Sequence, residues 1–337
     1  MLWEYGIDAG SENLRLVKRG TAQIVRESTY TAIREGRGTP FAWGDRALMM
    51  LCRAPKGVTL VKSVNKGKVD RAHLFAKWAR IILDEDEAIL KKSTILVAVS
   101  DNMNSDEIED MQKRMLDEGI SGVAVVSSLI ASALGAGEKV MDAEATCVLD
   151  IGAENIQAAV ISGGRIVKSD ALPFGTSRAD ETLIEAVRAY MGFGVGPRTA
   201  RELIIELGKA DLSDNAASEK NVFDYKDNLP RKKKIPALLV KRSLEDIVDA
   251  TAEMCAKLIM FLPEEIAGDI SSRGFVITGG GARLMNFQKA VEIETGLPVR
   301  VAEASEDCLA KGLQRILNSQ KTYQSLIKGE MEESRRP

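Results

Sequence analysis

The sequence predicts an α/β protein built from two duplicated halves, and three observations carry that prediction. An Asp-x-Gly hairpin occurs twice, as Tyr5-Gly6-Ile7-Asp8-Ala9-Gly10-Ser11-Glu12-Asn13-Leu14-Arg15-Leu16-Val17 and, about 140 residues later, as Cys147-Val148-Leu149-Asp150-Ile151-Gly152-Ala153-Glu154-Asn155-Ile156-Gln157-Ala158-Ala159-Val160. Each copy passes from an apolar strand through Asp, one residue, Gly and a polar turn with Asn into a second apolar strand. Strand and helix patterns alternate after the first copy, and the second half repeats the theme. Near the C-terminus, Phe275-Val276-Ile277-Thr278 reads as a buried strand that ends on Gly279-Gly280-Gly281 and runs into a helix.

The elements follow in order. Ala22–Val25 and Thr29–Ile33 read as strands after the first hairpin. Val69–Leu83 carries Leu74, Phe75, Trp78, Ile81 and Ile82 at helical spacing. Thr94–Val99 is a continuous apolar run of the kind buried in a sheet. A helix is expected over Asn104–Glu118, with Ser105 as N-cap and acids in its first turn. Val123–Val126 is a short strand, and Leu129–Leu134 opens a helix. The first domain is placed at residues 1–145, with a small subdomain at about 30–65. The second is placed at 146–320, with a small subdomain at about 180–240, and a charged, frayed tail follows at 321–337. Within the second, helices are expected over Asp180–Tyr190, Thr199–Leu207 and Leu244–Leu262, with a Gly/Pro break at Gly192–Pro197. The basic run Arg231-Lys232-Lys233-Lys234 is read as a solvated strand edge, against a phosphate or acidic-partner site.

Composition narrows the class. At 337 residues the chain can bury two substantial cores, and 45% hydrophobic with 28% charged residues is ordinary for a soluble globular protein. A net charge of −3 argues against nucleic acid as a partner. Cys52, Cys147, Cys255 and Cys308 have neither metal nor disulfide spacing, and Cys147 and Cys255 sit in apolar runs as small core residues. The single histidine, His73, falls on the surface or in the packing of a helical pattern. The sequence shows no signal peptide and no eighteen-residue apolar run, so a cytoplasmic location is expected.

The hairpins and the glycine turn share a chemistry. Glycine lets the backbone turn sharply and come close to a ligand, and a strand running through glycines into a helix presents N–H groups to phosphate. Two such hairpins facing each other would grip a phosphate chain, and the Asp at each strand end, Asp8 and Asp150, would hold a hydrated Mg²⁺. The competing reading is two ordinary hairpins with Asp and Gly as turn formers.

Taken together, the two Asp-x-Gly hairpins and the late Thr-Gly-Gly-Gly unit resemble the actin and heat-shock-protein ATPase superfamily, and more closely the MreB-like bacterial actins. Asp70–Leu83, Leu96–Val99, Gly135-Ala136-Gly137, Asp150-Ile151-Gly152 and Ala159-Val160-Ile161-Ser162 fit that family's order, and Ile277–Leu313 is the most specific stretch. The resemblance implies an actin-like fold: two duplicated domains, each a mixed sheet flanked by helices, with ATP or ADP and Mg in the cleft between them. It also implies a cytoskeletal filament serving cell shape or cell-wall organisation, with the chain itself or an MreB-type paralogue as partner. By the same resemblance, Asp8, Gly10, Ser11, Glu12 and Asn13 form the first phosphate hairpin, and Asp150, Gly152, Ala153 and Glu154 the second. Gly279, Gly280, Gly281, Ala282 and Arg283 line the adenosine side, and Glu206 approaches the ribose or base.

The departures fall in the ligand site. The family's second hairpin continues Gly-Gly-Gly-Thr-Thr, where this chain has Gly152-Ala153-Glu154-Asn155-Ile156. A Glu154 carboxylate beside phosphate oxygens costs on the order of 1 kcal/mol or more. The family's water-activating Glu corresponds to Ser127 or Ser128, and a serine hydroxyl is a poor general base. Gly-Gly-Asp becomes Gly175-Thr176-Ser177, and a lysine flanking the adenine becomes Ile204. The resemblance therefore implies nucleotide binding with hydrolysis weak or lost. An ATP-dependent chaperone or reactivating factor is the alternative, and a sugar or acid kinase a third reading. A membrane-contact segment is placed at Ile89 and Leu90, followed by Lys91 and Lys92, suitable for an anionic surface or equally for packing at a helix end.

Overall fold

The computed structural model describes residues 2–36, 38–83, 93–209 and 215–332. Ile89 and Leu90 lie outside the described residues. The chain divides into two compact units: 1–143 with 161–166 and 307–337, and 144–160 with 167–306. The return of residues 307–337 to the first unit is a connection that a linear division at 145 and 320 does not contain.

The first unit is built on β1 (Tyr5–Ala9), β2 (Asn13–Lys18), β3 (Ile24–Ser28), β7 (Thr94–Val99), β8 (Gly122–Ser127) and β17 (Lys328–Glu332), in the order β17-β8-β7-β1-β2-β3. β1 and β2 form the antiparallel hairpin, and β7 lies parallel to both β1 and β8. β7 and β8 are buried along their whole length, as continuous apolar runs require in a parallel sheet. β4 (Tyr30–Arg34), β5 (Thr39–Trp43) and β6 (Val58–Lys62) make a separate three-stranded sheet in the order β5-β4-β6. The helices are α1 (Gly44–Leu48), α2 (Ala72–Leu83), α3 (Ser105–Asp117), α4 (Ser128–Gly135), α10 (Cys308–Asn318) and α11 (Gln320–Tyr323). α2 buries Leu74, Phe75 and Trp78 and leaves His73 exposed.

The second unit repeats the plan. β9 (Thr146–Ile151), β10 (Ile156–Ser162), β11 (Arg165–Leu172), β15 (Phe275–Thr278) and β16 (Val299–Val301) form a sheet in the order β11-β10-β9-β15-β16. β15 is parallel to β9 and to β16. That order matches β3-β2-β1-β7-β8 strand for strand, so the duplicated hairpin marks a duplicated sheet. β12 (Phe193–Gly194), β13 (Ala217–Asp224) and β14 (Leu229–Pro236) form the second small sheet. α5 (Arg178–Met191), α6 (Pro197–Leu207), α7 (Ala237–Ile259), α8 (Glu264–Arg273) and α9 (Phe287–Thr295) complete it. Cys147 and Cys255 are core residues in this unit, and burial pushes the Cys255 thiol up, out of reach of ionisation.

Several boundaries shift for local reasons. Asn104, not Ser105, caps α3: its side chain accepts from Glu107 N at 2.9 Å, while Glu107 Oε2 accepts from Asn104 N at 2.9 Å. α7 begins at Ala237, seven residues early, directly after Pro236, and ends at Ile259 because Met260 is extended. The strand expected at Ala22–Val25 is β3, starting two residues later. Within the segment expected to fray, Lys328–Glu332 pairs antiparallel with β8. Gln112, buried on α3, donates to both Val123 O and Gly329 O and so ties the two strands together. The basic run forms much of β14, the edge of its sheet. There Arg231 pairs with Asp224 and Asp227, and Lys233 lies 4.9 Å over the Phe193 ring.

Candidate functional site

In the first unit, Asp8 ends the buried part of β1, Gly10, Ser11 and Glu12 form the turn that joins β1 to β2, and Asn13 opens β2. Gly10 is required there: a Cβ would stand 2.5 Å from Asn13 O. Ser11 is buried and its Oγ accepts from Gly67 N at 3.0 Å. The Ser11 and Glu12 N–H groups have no hydrogen-bond partner among the described residues. A turn with open amides is the concave donor set that suits an anion.

The acids of this hairpin are already matched by fixed cations. Glu12 is paired with Lys62 of β6, so the small sheet pins the hairpin tip. Asp8 is buried, and the β1–β2 register sets Arg15 directly across from it. Arg15 Nη1 donates to Asp8 Oδ2 at 2.9 Å. The network continues: Arg15 Nε lies 3.5 Å from Asp307 Oδ1, an ion contact without hydrogen-bond geometry, and Arg26 holds both Asp307 oxygens. Burial raises the Asp8 carboxyl above its ordinary pKa, more than Arg15 lowers it, and Asp307 adds to the rise. Sequence reasoning missed Arg15, Asp307 and Lys62. Only Arg15 had a signal, since hairpin pairing places it opposite Asp8.

In the second unit the predicted residues converge on one cluster. β15 pairs Thr278 with Asp150, and Thr278 Oγ1 donates to Asp150 Oδ1 at 2.7 Å. The glycine turn closes over the hairpin strand: Gly281 N donates to Ile151 O at 2.9 Å and Gly279 N to Ser305 O at 2.9 Å. Thr176 N and Ser177 N donate to Gly152 O (3.1 Å) and Ala153 O (2.8 Å), so Gly175-Thr176-Ser177 clasps the hairpin tip. Contacts this tight need glycine: a Cβ on Gly175 would meet Gly152 O at 2.5 Å. Gly152 itself closes the turn by donating to Asn155 O at 3.0 Å. Gly280 is exposed with open space at its Cβ position, and neither its N–H nor that of Ala153 has a partner among the described residues. Glu154 is half-buried and Arg283 exposed at the ends of this cluster.

Glu206 stands at the end of α6, joined to the same cluster because Met285 N donates to Gly208 O at 2.7 Å. Its carboxylate pairs with Lys220 at 2.9 Å, and the Lys220 and Ser218 hydrogen bonds hold its pKa below the ordinary range. Ile204 is packed in the core of this unit, which an apolar residue there can do and a lysine cannot without loss of hydration.

The Ser127–Ser128 corner supplies no base. Ser127 Oγ donates to Asp101 Oδ2 at 2.7 Å and accepts from Ile130 N at 3.3 Å as the cap of α4. Ser128 Oγ is buried with no hydrogen-bond partner. Asp101 is exposed by surface area, yet enough protein surrounds its carboxyl that lost hydration raises its pKa against the Ser127 hydrogen bond.

Each unit by itself offers open amides that suit anionic oxygens, Ser11 and Glu12 in the first and Ala153 and Gly280 in the second. Asp8 does not suit a metal's hydration shell, because one carboxylate oxygen is committed to a guanidinium. No group of three or more His, Cys, Asp or Glu able to hold a metal ion occurs among the described residues.

The comparisons with known proteins agree with this architecture. A family model described as MreB/Mbl protein matches residues 3–325. The chain is 29% identical over 317 residues to the cell shape-determining protein MreB of Escherichia coli (strain K12), covering 92% of this chain and 91% of that protein. It is 25% identical over 314 residues to the cell shape-determining protein Mbl of Bacillus subtilis (strain 168), covering 92% and 94%. Among solved structures, MreB5 of Spiroplasma citri bound to ADP superposes with a TM-score of 0.87 at 21% identity, covering 95% of this chain and 97% of that one. The MamK double helical filament superposes with a TM-score of 0.73 at 15% identity, covering 93% and 97%. The fold is therefore actin-like, and the chain belongs to the MreB/Mbl family.

Proposed function

We propose that this chain is a filament-forming cytoskeletal protein of cell-shape or cell-wall organisation that binds an adenine nucleotide and hydrolyses it weakly or not at all. The observation that carries the reading is the family match over residues 3–325, together with relatives named for determining cell shape. Nucleotide binding is supported by the open amides of the two hairpins and the glycine turn, and by the ADP and AMPPNP named in two structural neighbours. Asp8, Gly10, Ser11, Glu12 and Asn13 are assigned to one phosphate contact, and Asp150, Gly152, Ala153 and Glu154 to the other. Gly279, Gly280, Gly281, Ala282, Arg283 and Glu206 are assigned to the adenosine side.

Weak hydrolysis follows from the Ser127–Ser128 corner. One hydroxyl is occupied in capping α4 and bonding Asp101, the other is sealed from solvent, and neither accepts a proton from water near neutral pH. The test is sedimentation and electron microscopy of the purified chain with ADP, ATP or neither. Filaments are expected, whereas a monodisperse chain under every condition, or one found only in a soluble complex with a client protein, would defeat the scaffold reading. Phosphate release should be near background and should rise in Ser128→Glu, alone or with Glu154→Thr. No rise in either variant would remove the missing carboxylate as the reason. Membrane contact through Ile89 and Leu90 is part of the same reading, and liposome binding unchanged by their joint replacement with Ser would remove it.

A further inference from the structure

We infer that Arg15 is a built-in counter-cation that takes the place of a divalent ion at Asp8, so that nucleotide binding by this chain does not depend on magnesium. The inference rests on the nucleotide reading above. It starts from charge and geometry within the first unit. Asp8 and Asp307 are two carboxylates with side chains only 6% and 15% exposed, and Arg15, itself 13% exposed, lies between them. Arg26 closes the other side of Asp307. Two carboxylates meeting two guanidiniums make a network with no net charge, which exerts no net pull on a further cation.

A carboxylate removed from water is stable as an ion only beside a fixed partner, and a planar guanidinium is the side chain best suited to that role. Arg15 cannot be placed otherwise without breaking the hairpin, because β1–β2 pairing puts it directly across from Asp8. The second hairpin differs at the matching position: the residue seven positions after Asp150 is Gln157, a neutral amide, and Asp150 accepts a hydroxyl hydrogen bond from Thr278. Glu12 follows the same logic with Lys62, so both acids of the first hairpin are neutralised from within the protein. What remains without a partner at the tip, among the described residues, is the pair of amides of Ser11 and Glu12.

The experiment is titration calorimetry of ADP into the full-length chain, once with saturating MgCl₂ and once with EDTA. The expected affinities agree within about twofold for the unmodified chain, while Arg15→Leu loses about tenfold or more in EDTA relative to magnesium. Arg15→Lys, which keeps the charge, is expected to stay magnesium-independent. A loss of about tenfold or more in EDTA by the unmodified chain overturns the inference. Thermal denaturation without nucleotide supplies a readout that survives failure of the nucleotide reading. Magnesium should raise the melting temperature of Arg15→Leu and leave that of the unmodified chain unchanged. If neither condition shows ADP binding, the nucleotide reading fails and the melting temperatures alone decide. An equal magnesium-induced rise in both proteins overturns the inference. Should Arg15→Leu not fold, Arg15→Gln, which keeps polar reach without charge, takes its place in both measurements.

Discussion

Gly279 and Gly280 are chain neighbours with opposite tolerances. Gly279 has φ +88°, and a Cβ there would stand 2.5 Å from Ile151 O. Gly279→Ala should therefore cost roughly 2–4 kcal/mol, from left-handed backbone strain plus overpacking, measured by urea denaturation. Gly280→Ala meets open space and should change stability by no more than about 0.5 kcal/mol. If it also lowers ADP affinity, the Gly280 backbone lies close to ligand. Asp101 gives a pH prediction. Its folded pKa is raised, so the folded state binds the proton more tightly than the unfolded chain, and stability falls as pH climbs from below 3.8 through the folded value. At neutral pH the whole penalty is present. Asp101→Asn keeps an oxygen for the Ser127 hydroxyl and removes the charge, so it should melt higher than the unmodified chain at pH 7 and show no advantage below pH 3.8. An advantage that persists in acid would mean that the charge is not the cause.

At the scale of elements, α4 and α10 approach so closely that their glycines are obligatory. A Cβ on Gly135 would lie 1.7 Å from Cys308 O, and one on Gly312 would lie 1.8 Å from Ala131 O. Neither backbone can yield without pulling its helix away from the sheet. Gly312→Ala is expected to cost several kcal/mol, about 3 or more, and to yield insoluble or unfolded protein, read from circular dichroism and solubility. Free folding with an unchanged melting temperature would mean that the helices separate cheaply. The β17 edge offers a gentler test. Gln112→Leu leaves Val123 O and Gly329 O without their donor and should cost about 1–3 kcal/mol, with hydrogen exchange rising first in Lys328–Glu332.

For the whole molecule, the return of residues 307–337 to the first unit has a mechanical consequence. The chain leaves the first unit at residue 143, rejoins it briefly at 161–166 and returns for good at 307, carrying α10 to its place against α4, β1 and β2. A chain ended after Glu306 keeps every residue of the second unit but strips α10 from the first. Hydrogen exchange should then collapse in β1, β2 and β7, while β9, β15 and α7 keep their protection. Equal loss across both units would show that they unfold together. No helix among the described residues is long and apolar enough to cross a membrane.

The sequence by itself determined the duplicated plan, because hairpins are local. Asp-x-Gly, a polar turn and alternating apolar residues define β1–β2 and β9–β10 without reference to anything distant, and Phe275–Thr278 with its glycines needs only its own pattern. Glu154, Ser127 and Ser128 argue against hydrolysis only through the family resemblance, which supplies the residues expected at those positions. Only the tertiary structure decided the charge partners. Lys62 reaches Glu12 across fifty residues and Asp307 reaches Arg15 across nearly three hundred, separations that carry no local pattern. The same holds for β17, whose charged residues look like a tail until Gln112 and β8 give its backbone partners. Local backbone preference wrote the hairpins into the sequence. Which acids in them remain free to meet a ligand is set by side chains brought together from far along the chain.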